Sequence, residues 1–315
     1  MNRFKGVIPA LFTPFDGANR LNCDVLPKFL GFLKQCGAGG FFVCGSSGEG
    51  LLLNISERKR MAEAVVKEIA GELPVVVHVG AMNQSEAVEL AKHAGKIKAQ
   101  GVSAVIPFYY DYSLKNIMRY YEAIAKASDL PVIVYYLSQT GSTIFSDMGK
   151  VVENILALKN IYGIKFTAGN LHMFQTIKIL SGKKLRFYGG QDQLALQFLA
   201  TGVDGIIGLN YNYLPEIFAK IYREYQSGYI QKAVQTQEQI TKLLFYEFRQ
   251  FNRMTLGKTV LKLRGINIGS CRPPLGALAP KEIIWVAKKL SSMQRALEFN
   301  PEYCLKTGKT IRDGR

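Results

Sequence analysis

Tryptophan occurs once and histidine three times in the 315 residues. The histidines (His78, His93 and His172) form no H-E-x-x-H pattern and show no evident carboxylate partner, which removes the usual helix-borne zinc site. His78 is expected to be a hydrogen-bonded group inside the core rather than a metal ligand. The five cysteines (Cys23, Cys36, Cys44, Cys271 and Cys304) are odd in number, irregularly spaced and without a C-x-x-C pair. Neither a zinc knuckle nor a dithiol redox site is supported, and free thiols in a reducing compartment are expected. No apolar run approaches the roughly 20 residues needed to cross a bilayer. The first apolar stretch is broken by Pro9 and followed by no small-residue cleavage site, so a soluble, cytoplasmic protein is expected, with no membrane partner. No glycine-rich turn leads into Gly-Lys-Ser/Thr, which excludes a Walker loop.

Acidic residues are outnumbered: 24 Asp+Glu face 40 Lys+Arg, a net charge of +16. The excess is concentrated late in the chain. Residues 241–315 hold 15 Lys+Arg against 5 Asp+Glu, a local balance of +10. A basic stretch with few aromatics in its charged runs reads as a solvated surface rather than a nucleic-acid reader. No nucleic-acid partner is expected.

What is present is a regular alternation. Short apolar, β-branched runs at 6–12, 40–45, 74–80, 102–108, 131–136, 161–166, 185–190 and 202–208 read as strands buried on both faces, which points to a parallel sheet. Amphipathic segments at 25–36, 56–70, 85–100, 113–128, 146–158, 170–180 and 193–200 separate them, with Ser56, Ser85 and Ser113 as N-cap candidates. Eight strands with intervening helices match an α/β architecture of the (β/α)8 TIM-barrel type. The absence of a nucleotide turn at 10–15 argues against a doubly wound sheet. Helical patterns at 214–225, 229–250, 255–266 and 280–297 follow, more than the one further helix a barrel requires. The expected division is therefore a barrel at 1–225 and a C-terminal helical subdomain with a basic tail at 226–315.

In such a barrel, function sits at the carboxyl ends of the strands. Those ends carry Gly45-Ser46-Ser47-Gly48-Glu49-Gly50, Phe108-Tyr109-Tyr110, Tyr135-Tyr136, Lys165-Phe166-Thr167 and Gly190-Gln191-Asp192-Gln193. Lys165, between Ile164 and Phe166, would reach its point of use partly desolvated. Desolvation penalises a charged amine and favours the neutral form, which can attack a carbonyl. Tyr135, on the preceding strand, offers a phenol that can move a proton without forming an ion pair with the lysine. The 45–50 turn offers backbone N–H groups and two hydroxyls as a small anion nest.

Three of these segments in this order resemble the pyruvate-dependent class I aldolases of the N-acetylneuraminate lyase and dihydrodipicolinate synthase superfamily, over about residues 6–276. Gly45-Ser46-Ser47-Gly48-Glu49 is similar to the pyruvate-carboxylate loop, Tyr135 falls on the catalytic tyrosine and Lys165, in Gly163-Ile164-Lys165, on the Schiff-base lysine. His78-Val79-Gly80, the 103–110 segment, Thr167 and Cys271-Arg272-Pro273-Pro274-Leu275-Gly276 are closer to the lyase branch. The resemblance implies catalytic roles for Lys165, Tyr135, Ser46 and Tyr109. It also implies substrate contacts from Gly45, Ser47, Thr167, Gly190, Asp192, Gln193 and Ile207. It implies no metal or organic cofactor, a 2-keto acid (pyruvate) and a sugar aldehyde as small-molecule partners, and a homotetramer in which Tyr109 serves a neighbouring chain. N-acetylneuraminate is the favoured substrate, ahead of other 2-keto-3-deoxy sugar acids and of dihydrodipicolinate-type condensation. A catalytically retired barrel acting as a binding protein is the alternative of another class. The sequence departs from the pattern in three places. Tyr136-Leu137-Ser138-Gln139-Thr140-Gly141 replaces Asn-[IV]-Pro and is one residue shorter, Gln193 stands for a glutamate, and Leu209 stands for a serine.

Overall fold

A computed structural model describes residues 4–138, 147–293, 298–299 and 301–303. Eight parallel strands form one sheet: β1 (Gly6–Pro9), β2 (Phe41–Val43), β3 (Val75–His78), β4 (Gly101–Val105), β5 (Val132–Leu137), β6 (Ile161–Thr167), β7 (Arg186–Gly189) and β8 (Gly205–Gly208). They run in the spatial order β1-β8-β7-β6-β5-β4-β3-β2. A bridge between Ala10 and Phe42, with Leu11 N–H donating to the Phe42 carbonyl at 2.8 Å, brings the first and last strands of that order together. Beyond this bridge the Asn212 side chain substitutes for a strand. It accepts from Phe12 N–H at 3.0 Å and donates to the Ala10 carbonyl at 2.8 Å. The expected (β/α)8 barrel is thus present, and its strands are short because apolar residues on both faces, rather than length, stabilise them.

Helices alternate with the strands: α1 (Leu26–Gln35), α2 (Ile55–Ile69), α3 (Gln84–Lys96), α4 (Leu114–Ala127), α5 (Met148–Ala157), α6 (Leu171–Ser181), α7 (Ala195–Ala200) and α8 (Pro215–Gln226). Of the three serines expected to cap helices, only Ser113 does so, accepting from Asn116 N–H. Asn54 caps α2 in a capping box with Glu57, and Asn83 caps α3. Ser56 and Ser85 instead donate to those asparagines at 2.7 and 2.8 Å. The asparagine carbonyl lies at the extended residue before the helix, where it reaches the free N–H groups of the first turn; a serine already inside the helix cannot. His93 does have a carboxylate partner, Glu63 at 2.7 Å, contrary to the sequence reading. The two lie 30 residues apart, on neighbouring helices.

α9 (Ile230–Thr241), α10 (Arg253–Leu263) and α11 (Pro280–Met293) complete the fold. The helix expected over 229–250 changes character part-way: Lys242–Glu247 is a π-helix. The C-terminal part of the expected last helix, 294–297, lies outside the described residues, as does Cys304. Two buried cations on α10 and its C-cap tie this part to the barrel. Arg264 pairs with Glu216 of α8 and donates to the Tyr213 carbonyl at 2.8 Å. Lys258 pairs with Glu49 at 2.7 Å. No helix among the described residues is long and apolar enough to cross a membrane.

Candidate active site

The barrel interior is an apolar cluster separate from the core between sheet and helices. It contains Phe4, Ile8, Ala10, Phe42, Val76, Val105, Ile133, Tyr135, Tyr188 and Ile207. The two-residue period of the strands places Tyr135 and Lys165 inward, and the β5–β6 register sets them side by side. Lys165 is 4% exposed. Its Nζ lies 3.9 Å from the centre of the Tyr135 ring and 4.3 Å from that of Phe42. The Phe42 ring also connects the lysine to the serine loop: a Cβ added to Gly45 would stand 2.7 Å from it, so glycine is what lets the loop lie against the ring.

His78 completes this aromatic floor, its ring centre 6.0 Å from those of Phe42 and Tyr135. Nε2 accepts from Val105 N–H at 3.1 Å, Nδ1 lies 3.5 Å from Arg58 Nη2, and the ring also bonds to the Cys44 backbone. Burial, with the nearby cations Arg58 and Lys165, holds its pKa well below the usual histidine range. His78 is therefore a neutral core group, as expected from the sequence.

The serine loop offers a smaller anion nest than the glycine-rich sequence suggests. Residues Ser46–Gly48 form a 3-10 turn, and the N–H groups of Gly48, Glu49 and Gly50 are spent on the carbonyls of Gly45, Ser46 and Gly45. The N–H groups of Ser46 and Ser47 and the two hydroxyls remain, on an exposed and a half-buried residue respectively. Glu49, in the left-handed region at φ 55°, turns its carboxylate inward to Lys258 and to the backbone N–H of Arg272 at 2.8 Å. Thr13 Oγ1 holds the Gly48 carbonyl at 2.5 Å. The loop is thereby fixed from below.

A second polar group lies towards β7 and β8. Asp192 is 6% exposed, and one of its oxygens accepts from Asn210 N–H at 2.7 Å and Asn210 Nδ2 at 2.6 Å. Asn210 in turn accepts from the Tyr213 hydroxyl. Burial pushes the Asp192 carboxyl up to about 6, against the lowering effects of Asn210, Lys165 and Arg253. Thr167 Oγ1 is buried and has no hydrogen-bond partner among the described residues. A Cβ on Gly190 would come within 1.9 Å of that oxygen. Gln193 is part-buried and donates to Gln191, Ile207 lines the interior, and Leu209 is partly buried against the core.

The structure thus gathers Lys165, Tyr135 and Ile207 in the barrel interior and joins the 45–47 loop to them through Phe42. Tyr109 stands apart: it is 79% exposed, with its ring against Tyr110. Half of the shortened segment after Tyr135, residues 139–141, lies outside the described residues. Lys258, which holds the loop from α10, and Arg253, whose charge acts on Asp192, were missed. They lie some 60 to 200 residues away in sequence, and no local motif marks them.

Residues 3–293 match the Dihydrodipicolinate synthetase family. The chain belongs to that family. Among curated relatives, it is 30% identical over 282 residues to the N-acetylneuraminate lyase of Fusobacterium nucleatum, covering 89% of this chain and 95% of the relative. It is 31% identical over 293 residues to the 4-hydroxy-tetrahydrodipicolinate synthase of Methanosphaerula palustris, covering 92% and 99%. The wild-type sialic acid aldolase of Ruminococcus gnavus superposes with a TM-score of 0.88 at 25% identity, covering 94% of this chain and 98% of that one. Members of the Dihydrodipicolinate synthetase family with two different names are therefore equally close in identity, and the distinction between them must come from the site.

Proposed function

We propose that this protein is a Schiff-base lyase that cleaves a 2-keto-3-deoxy sugar acid to pyruvate and an aldehyde, with N-acetylneuraminate, giving N-acetylmannosamine, as the favoured substrate. The observation that carries the reading is Lys165: a buried amine on aromatic rings, in register with a tyrosine and joined through Phe42 to a loop with free N–H groups. Lys165 attacks the C2 keto carbon and water leaves, giving an iminium. The N–H groups and hydroxyls of Ser46 and Ser47 hold the C1 carboxylate. Tyr135 takes the proton of the C4 hydroxyl as the C3–C4 bond breaks, releasing the aldehyde. The bonding pair is held as an enamine, which is protonated at C3 and hydrolysed to pyruvate and free lysine. Thr167, Gly190, Asp192 and Gln193 face the aldehyde half. The exposed Tyr109 suits a role completed by a second copy of the chain, in a homotetramer.

Borohydride reduction with pyruvate, followed by peptide mapping, tests the reading. A reduced three-carbon adduct on Lys165 is expected, and its absence overturns the mechanism. Cleavage of N-acetylneuraminate against 2-keto-3-deoxygluconate then ranks the aldehyde halves. The synthase-named relative keeps condensation with an amino-aldehyde acid as a second reading; conversion of pyruvate and that aldehyde without cleavage of either sugar acid would favour it.

A further inference from the structure

Arg253 opens α10 and lies one helical turn before Gly257. Residues four apart share a face of a helix, and Gly257 lies on a face of α10 that packs against the barrel. A Cβ there would meet the Phe12 ring at 2.6 Å and the Tyr213 ring at 2.7 Å. Arg253 is thus on the face that looks at Tyr213, and Tyr213 donates to Asn210, which holds Asp192. The charges agree with this placement: burial raises the pKa of Asp192 and of Tyr213, and Arg253 opposes that rise at both.

The guanidinium is held but not satisfied. Its carbon stacks 4.5 Å above the centre of the Phe245 ring, and Phe245 sits in the π-helix that interrupts α9 and α10. π-helical insertions re-aim side chains and recur at functional sites. Arg253 as a whole is part-buried, but its Nη1 is buried with no hydrogen-bond partner among the described residues. A buried charged donor without an acceptor is costly, and a ligand that supplies one recovers that cost. Thr167 Oγ1 is a second buried polar atom in the same condition on this side of the site. Leu209, between β8 and the Asn210 turn, offers no hydrogen bond to the ligand.

We infer that Arg253 is a specificity-determining residue that donates a hydrogen bond to an acceptor oxygen on the distal part of the aldehyde half. The ligand class is a sugar acid long enough to carry hydroxyl or amide oxygens beyond the carbons next to the cleaved bond. Asp192 already supplies a negative charge nearby, so a neutral oxygen is a better match than a second anion. The inference rests on the proposed lyase reading.

The experiment compares Arg253→Met and Arg253→Lys with the parent protein on N-acetylneuraminate and on the shorter 2-keto-3-deoxygluconate. The Met variant is expected to lose at least tenfold more kcat/KM on the long substrate than on the short one, chiefly through KM. The Lys variant, which keeps a donor, is expected to recover part of that difference. Equal losses on both substrates, or an effect confined to kcat, would overturn the assignment. Borohydride trapping of pyruvate by the parent protein separates the two failures. A Lys165 adduct with unchanged substrate preference removes only the role of Arg253, whereas no adduct removes the lyase reading beneath it.

Discussion

Glu49 and Lys258 form an ion pair 2.7 Å long in which neither side chain has appreciable contact with solvent, 0% and 2% exposed. Lys258 also donates to the carbonyls of Thr13 at 2.8 Å and Ser270 at 3.1 Å. The pair thus joins the turn after β2, the segment after β1 and the C-terminal helices at one point. Removing one partner leaves a buried charge without compensation, which costs about 3–5 kcal/mol. Glu49→Gln and Lys258→Met are each expected to lose about that much in denaturant unfolding. The double replacement, which removes both charges, should lose clearly less than the sum. Additive losses would show that the two groups act independently.

Tyr135→Phe keeps the ring that packs against Lys165 and removes only the hydroxyl. Proton transfer by a positioned group contributes roughly 10²- to 10⁴-fold. The variant is expected to lose kcat in that range while still forming the borohydride-trapped pyruvate adduct. Unchanged turnover would exclude Tyr135 as the proton carrier.

Asp192 titrates upward, to about 6 against an ordinary 3.8, because it is buried. In its proposed role Asp192 accepts from substrate hydroxyls, and the ionised carboxylate accepts more strongly than the acid, so kcat/KM should fall as pH drops through about 6. Asp192→Asn should abolish that acid limb. The stability effect has the opposite sign. A raised carboxyl pKa favours the fold fully below about 3.8, and that contribution is lost as pH rises through about 6. Asp192→Asn should therefore melt higher than the parent at pH 7.5, with the advantage gone at pH 4. An acid limb that persists in the variant would assign it to another group.

Gly190→Ala places a methyl group 1.9 Å from Thr167 Oγ1. One of the two must move, and both are proposed to face the aldehyde half. KM for the sugar acid is expected to rise at least several-fold, while the pyruvate adduct still forms. Retained KM would show that this edge of the site is not used.

Asn54→Ala removes the side-chain half of the α2 capping box, leaving the backbone N–H of residue 54 to donate to Glu57, and is expected to cost about 1 kcal/mol, within a range of roughly 0.5–2. Ser56→Ala, one position inside the helix, should cost less than half as much. Thermal unfolding of the two variants side by side checks the order.

The contrast between Asn54 and Ser56 shows where the sequence was legible and where it was not. The eight strands could be read because a strand buried on both faces needs an apolar run, and no other element of that length does. Lys165 and Tyr135 could be read because each sits at the end of such a run. Two caps were misread by two residues, since a cap depends on which residue leaves helical geometry first. The nest at 45–50 was overestimated, because composition does not say which N–H groups the turn itself consumes. The partners of Glu49, Glu63 and Asp192 were invisible for a different reason. They are set by the closure of the barrel and the docking of neighbouring helices, which bring distant residues together.

The Glu49–Lys258 contact also has a consequence in time. The two residues are separated by 209 positions, so a ribosome adding roughly 5–20 residues per second finishes the serine loop some 10–40 seconds before it makes the lysine that fixes it. For about the first three-quarters of that interval β1 also lacks β8, and throughout it Glu49 lacks Lys258. The serine loop therefore gains its shape near the end of synthesis, and a nascent chain stopped short of α10 would carry every residue of the proposed chemistry without the scaffold that aims it.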